Sequence, residues 1–168
     1  MHRRLLTACL MLVLLAFGAT GCGLFEEPEA DTRIGEHDTV VALFASGSVE
    51  GDVLTVQGTA TVPDGALVAY EVGDPTLDAA GDEDAFVIGE AVVNDKSFAF
   101  EVPIEGWSGE SVNVWVAFQT LLGGQAQQPA EVIELYGTMG EHMKGDIAVT
   151  QTAEGQLRWV ETEFAVAR

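Results

Sequence analysis

The sequence predicts an all-β protein: an antiparallel β-sandwich with one short helix near Pro129 to Tyr136, preceded by a signal-peptide helix. Three observations predict it. Short apolar runs recur from Thr39 to the end of the chain, and several alternate with a period of two. Glycine-rich turn signals separate those runs at short intervals. A long apolar pattern of helical period is missing, which leaves sheet packed on sheet as the way to bury the apolar faces.

Taken in order, the first run is Val40-Val41-Ala42-Leu43-Phe44, closed by Ser46-Gly47-Ser48. Val53-Leu54-Thr55-Val56 follows and ends at Gly58. Pro63-Asp64-Gly65 is a turn, because proline presets one dihedral and glycine accepts positive φ. Ala66-Leu67-Val68-Ala69-Tyr70-Glu71-Val72 is the next strand. The runs 86–93 and 97–102 flank Asn94-Asp95-Lys96, a hairpin loop. Phe98, Phe100 and Val102 alternate with Ser97, Ala99 and Glu101.

The clearest alternation lies in 111–120. Val112, Val114, Val116 and Phe118 point one way, and Asn113, Trp115, Ala117 and Gln119 the other. This predicts a central core strand. In the tail, 156–166, Val160, Phe164 and Val166 share a face. Between these strands, Pro129-Ala130-Glu131-Val132-Ile133-Glu134-Leu135-Tyr136-Gly137 has proline and glutamate early and glycine last, which are helix start and stop signals.

The N-terminus reads as an address. His2, Arg3 and Arg4 precede an apolar run, Leu5 to Phe17, too short for the roughly 20 residues of a membrane span. Residues 1–21 are therefore a signal peptide. Ala19-Thr20-Gly21-Cys22 resembles a bacterial lipobox, with Ala19 in place of the usual leucine; the resemblance implies cleavage before Cys22 and a lipid on its thiol. Residues 22–37, with Glu26, Glu27, Pro28, Glu29, Asp31 and Glu36, read as an acidic tether, and 38–168 as one domain. As a flexible coil, roughly 15 tether residues reach on the order of 20 Å.

Val56-Gln57-Gly58-Thr59-Ala60, then Pro63-Asp64-Gly65, then Ala91-Val92-Val93 leading to Ser97-Phe98 and Val102-Pro103, resemble bacterial immunoglobulin-like modules. The likeness covers roughly residues 52–119. With its lipobox the chain is similar to bacterial surface lipoproteins. The helix near Pro129 and the acidic insertion near Asp82 depart from that pattern. The resemblance implies an immunoglobulin-like sandwich with adhesion, spacing or binding roles, held outside the cytoplasm on a bacterial membrane.

Charge narrows the partners. The chain has 7 basic and 27 acidic side chains, for a formal charge of −20. Arg3 and Arg4 leave with the signal while every acid stays, so the mature chain is more acidic still. Such a field repels nucleic acid and anionic lipid heads. The expected partners are the membrane, through the lipid on Cys22, and an envelope protein or polymer. Of two cysteines, Cys9 leaves with the signal and Cys22 is the lipid site, so no disulfide and no thiol chemistry are expected.

Candidate sites are few. Asp74, Asp78, Asp82, Glu83 and Asp84 could offer oxygen ligands to Ca²⁺, but their spacing does not match the EF-hand loop, and a solvated insertion is the expected reading. Met139, Glu141, His142 and Met143 form a copper-type set of thioether and imidazole. Adjacency makes joint ligation by His142 and Met143 awkward, so a plain loop is expected. Gly106-Trp107-Ser108-Gly109 does not complete the hydrolase elbow. Abundant carboxylates make any acid pair uninformative. The chain is therefore expected to be non-enzymatic, with no metal and no cofactor. Its expected function is a non-enzymatic binding or structural module of the envelope; the alternative is a cation- or solute-binding accessory using the acidic insertion at 74–84. Trp115 is expected to lie under the short helix, whose Val132, Ile133 and Leu135 need a partner; left bare, it would belong to a binding surface.

Overall fold

Period-two sequence becomes sheet wherever one face can be buried, and here two sheets bury each other. The computed structural model describes residues 39–80, 85–123 and 126–168. In chain order the elements are β1 (Val40–Val41), β2 (Leu43–Glu50), β3 (Val53–Ala60), β4 (Leu67–Gly73), α1 (Pro75–Ala80), β5 (Phe86–Val92), β6 (Ser97–Pro103), β7 (Ser111–Gln119), α2 (Ala130–Tyr136), β8 (Lys144–Gly145), β9 (Ala148–Gln151) and β10 (Gln156–Ala167). A five-stranded sheet runs β5-β4-β7-β10-β9, and a three-stranded sheet runs β2-β3-β6. Every pairing within them is antiparallel. The two-residue strands β1 and β8 pair in parallel.

The expected core strand is the middle strand. β7 sits third of five, and Val112, Val114, Val116 and Phe118 are fully buried. They meet Leu54, Val56, Phe98 and Val102 from the smaller sheet in one apolar cluster. The sheets come together where β2 approaches β10: a Cβ on Gly47 would stand 3.1 Å from a Val166 methyl, so a larger residue there would push the layers apart.

Two tight two-residue turns shape the connections between strands. Gly51, at φ 60°, is the first of two loop residues between Glu50 and Val53, as a type II′ turn requires. Asp95 and Lys96, at φ 49° and 59°, are the two central residues of the Asn94–Ser97 turn, the type I′ pattern. This hairpin changes layers, since β5 belongs to the large sheet and β6 to the small one. The Pro63-Asp64-Gly65 turn also forms, with Gly65 at φ 85° and Ala66 donating to the Pro63 carbonyl.

The structure departs from the expectations in four places. Ser46-Gly47-Ser48 does not end a strand but lies inside β2. A second helix, α1, occupies the start of the acidic insertion. The loop after α2 contains β8, and β9 adds a short outer strand. Trp115 is not the partner of α2. Val132 and Tyr136 of that helix go into the core, where Tyr136 meets Phe118 edge to face at 5.1 Å, on the side of β7 opposite Trp115. Among the described residues no helix is long and apolar enough to cross a membrane. Residues 1–38, with the signal, Cys22 and tether readings, lie outside the described residues.

Candidate functional site

The outer face of the five-stranded sheet carries Phe86 and the half-buried Trp115 and Trp159. Register places Trp115 on β7 directly between Glu71 on β4 and Glu163 on β10, with Ile88 of β5 beyond Glu71. The next row holds Ala69, Ala117 and Glu161. Trp115 and Trp159 flank that row, and both indole N–H groups donate to the same Glu161 Oε2, each at 2.6 Å. Ala117 is fully buried although it faces outward, because the two indoles converge on Glu161 above its row. A carboxylate so engaged fixes the orientation of both rings.

Beside Trp115 opens a cleft of about 300 Å³. Phe86 and Trp115 give it aromatic walls, and Glu71, Asp78 and Glu163 give it negative charge. Gly73 makes room: a Cβ there would stand 2.9 Å from the Phe86 ring. Aromatic faces with carboxylates at their rim suit a cationic group, since the ring quadrupole and the carboxylates attract the same charge. Trp115 stands half-buried and Phe86 42 % exposed, so the walls are open to a ligand.

Asp74, at the end of this cleft, has a different duty. It is 1 % exposed, and its carboxylate accepts four backbone N–H bonds. Oδ1 takes Thr76 at 2.8 Å and Leu77 at 3.4 Å, capping α1; Oδ2 takes Ser108 at 2.7 Å and Gly109 at 3.0 Å, pinning the loop before β7. Burial alone would push its pKa up, but the N–H bonds from Gly109, Thr76, Ser108 and Leu77 outweigh it and hold the carboxyl below its usual range. Both oxygens are committed to the fold, so Asp74 is no free cation ligand. Of the four weaker calcium candidates, Asp78 lines the cleft, while Asp82, Glu83 and Asp84 lie outside the described residues.

The Met139–Met143 loop does not assemble a copper set. Met143 is 3 % exposed and packs in the apolar core, away from the exposed His142. The Glu141 carboxyl is held below its ordinary range, first by its own backbone N–H, against some burial, with Met139 N–H and His142 adding to the effect. Among the described residues, no three His, Cys, Asp or Glu side chains stand together as a metal site.

Sequence reasoning missed the pairing of Trp159 with Trp115 and the helix at 75–80. The helix was signalled by Asp74-Pro75, a capping carboxylate before proline at the first helical position. The shared Glu161 had no such signal, because it needs the β7–β10 register.

What fold and face define together is an antiparallel β-sandwich with an aromatic and acidic outer surface. No protein-family model matches the chain. No curated protein matches it either.

Proposed function

We propose that the chain is a lipid-anchored, extracytoplasmic, non-enzymatic binding module of a bacterial cell envelope, with an immunoglobulin-like sandwich. The strand order supports the immunoglobulin-like reading, since β2-β3-β6 facing β5-β4-β7-β10 parallels the A-B-E and C′-C-F-G order of such domains. The lipobox-like Ala19-Thr20-Gly21-Cys22 supports the anchor. The observation that carries the binding role is Trp115, left open between Glu71 and Glu163 with Phe86 beside it. This face receives a positively charged group of an envelope protein or polymer. Cross-linking on intact cells tests it. The full-length protein is expected to capture a partner, and Trp115→Ala with Glu163→Gln to lose it. Equal capture by that double variant would end this reading.

Asp78 favours a second reading, a cation- or solute-binding accessory, because it brings a carboxylate of α1 to the cleft where Glu71 and Glu163 already stand. A Ca²⁺-specific gain in melting temperature, at matched ionic strength, would select it.

A further inference from the structure

One part of the opposite face of the sandwich is chemically unlike the acidic rest of the molecule. Along the outer side of the three-stranded sheet, register sets Phe44, Thr59 and Ser97 in one row and Ser46, Gln57 and Ala99 in the next. These two rows, with Asn94 at the β5–β6 corner, border a wide hollow of about 820 Å³. No residue lining the hollow is ionisable, in a chain of which 20 % of residues are charged. Phe44, 69 % exposed, stands at its edge.

A sheet face presents side chains only, because the backbone N–H and C=O groups are spent in the ladders. Beside the apolar Phe44 and Ala99, the outward side chains here are the hydroxyls of Ser46, Thr59 and Ser97 and the amides of Gln57 and Asn94, each able both to donate and to accept. The ligand they match carries many groups of the same double character, which are hydroxyls. Small residues, Ser46, Ser97 and Ala99, keep the floor low enough for a flat ring to lie on it. An exposed aromatic ring offers its face to the C–H side of such a ring. A polyanion is repelled by the whole chain, and a cationic polymer finds better partners at Glu71, Asp78 and Glu163 on the other face.

We infer that this hollow binds a neutral oligosaccharide, stacked on Phe44 and hydrogen-bonded by Ser46, Gln57, Thr59 and Ser97. The inference goes beyond the binding-module reading: it gives a different ligand class to a face separate from the Trp115 cleft.

The test is calorimetric titration of the full-length chain with four neutral hexasaccharides: a β-1,4-glucan, an α-1,4-glucan, a β-1,4-mannan and a β-1,4-linked N-acetylglucosamine hexamer. At least one is expected to bind with a Kd below about 1 mM. Phe44→Ala and Gln57→Ala, both at surface positions, are expected to weaken it roughly tenfold each, as loss of one stacked ring or one hydrogen-bonding amide does. Trp115→Ala is expected to leave it unchanged. Binding of none of the four, or binding untouched by Phe44→Ala and Gln57→Ala, overturns the inference. Binding lost on Trp115→Ala also overturns it, while leaving a binding module whose ligand sits on the other face. An acidic polymer such as hyaluronan binding equally well would refute the neutral specificity.

Discussion

Single side chains hold this fold where its strands end. Asp74 joins α1 to the loop before β7 through four N–H bonds, one of them from the buried Gly109. Gln128 does a comparable job with no charge. Buried to 6 % exposure, its amide accepts from the Leu67 N–H and donates to the carbonyls of Leu67 and Gln119, finishing the adjacent ends of β4 and β7 as a strand would. Replacing Asp74→Ala removes a helix cap and strands buried donors, so a loss of roughly 2–4 kcal/mol is expected in chemical denaturation. Because the folded state lowers its pKa, the contribution of Asp74 is complete above the ordinary carboxylate range. It disappears as pH falls through the lowered folded value. Asp74→Asn is therefore expected to be less stable at neutral pH and to lose less on acidification than the parent. Parallel acid profiles for the two would contradict that assignment.

At the scale of elements, pairing is helped by glycine set opposite an aromatic ring. Register puts Gly58 opposite Phe98, Gly73 opposite Phe86 and Gly89 opposite Tyr70. In each case a Cβ on the glycine would come within 3.0 Å of the facing ring or its hydroxyl. The rings cover backbone that glycine leaves bare, and Tyr70 gains the room to stack on Phe100 at 3.8 Å. The Asp95-Lys96 turn is less well served. A type I′ turn favours glycine at its second central position, and Lys96 stands at φ 59°. Lys96→Gly is expected to stabilise by about 0.5–1 kcal/mol, since it relieves a left-handed strain larger than the added chain entropy. A lower denaturation midpoint would show that the lysine side chain contributes elsewhere. On β7 the two faces should differ sharply: Phe118→Ala is expected to cost roughly 3–5 kcal/mol, and the exposed Asn113→Ala far less.

For the whole molecule, charge is the main term that salt can change. With 27 acids against 7 bases, like charges crowd a folded surface more closely than an unfolded chain, and their repulsion opposes compaction. Raising monovalent salt from 0.01 to 0.1 M shortens the screening length from roughly 30 to 10 Å. The melting temperature of the full-length chain is expected to rise over that range. Millimolar Ca²⁺ at matched ionic strength is expected to add little more. A large further rise, abolished by changing Asp82 and Asp84 to asparagine, would establish a calcium site in the acidic insertion.

Legible in the sequence were the all-β class, the buried face of β7, the tight turn at Asn94 to Ser97, though not that its two strands part into different sheets, and the helix at Pro129. Each of these depends on residues near one another in the chain: alternation over a single strand, turn residues with a preferred dihedral, proline and glycine at helix ends. Tertiary structure decided what depends on register between distant strands. Trp115 lies 46 positions from Glu161, and only the β7–β10 pairing brings it and Trp159 to one oxygen. The same holds for Asp74, whose place in a run of acids led to the expectation of a solvated insertion. Its carboxylate instead caps a local helix and reaches 35 positions along the chain to Gly109, because a buried charge must find donors wherever the fold supplies them. The aromatic and acidic cleft on one face and the hollow without ionisable lining on the other are likewise products of strand order, which periodicity within one strand does not encode.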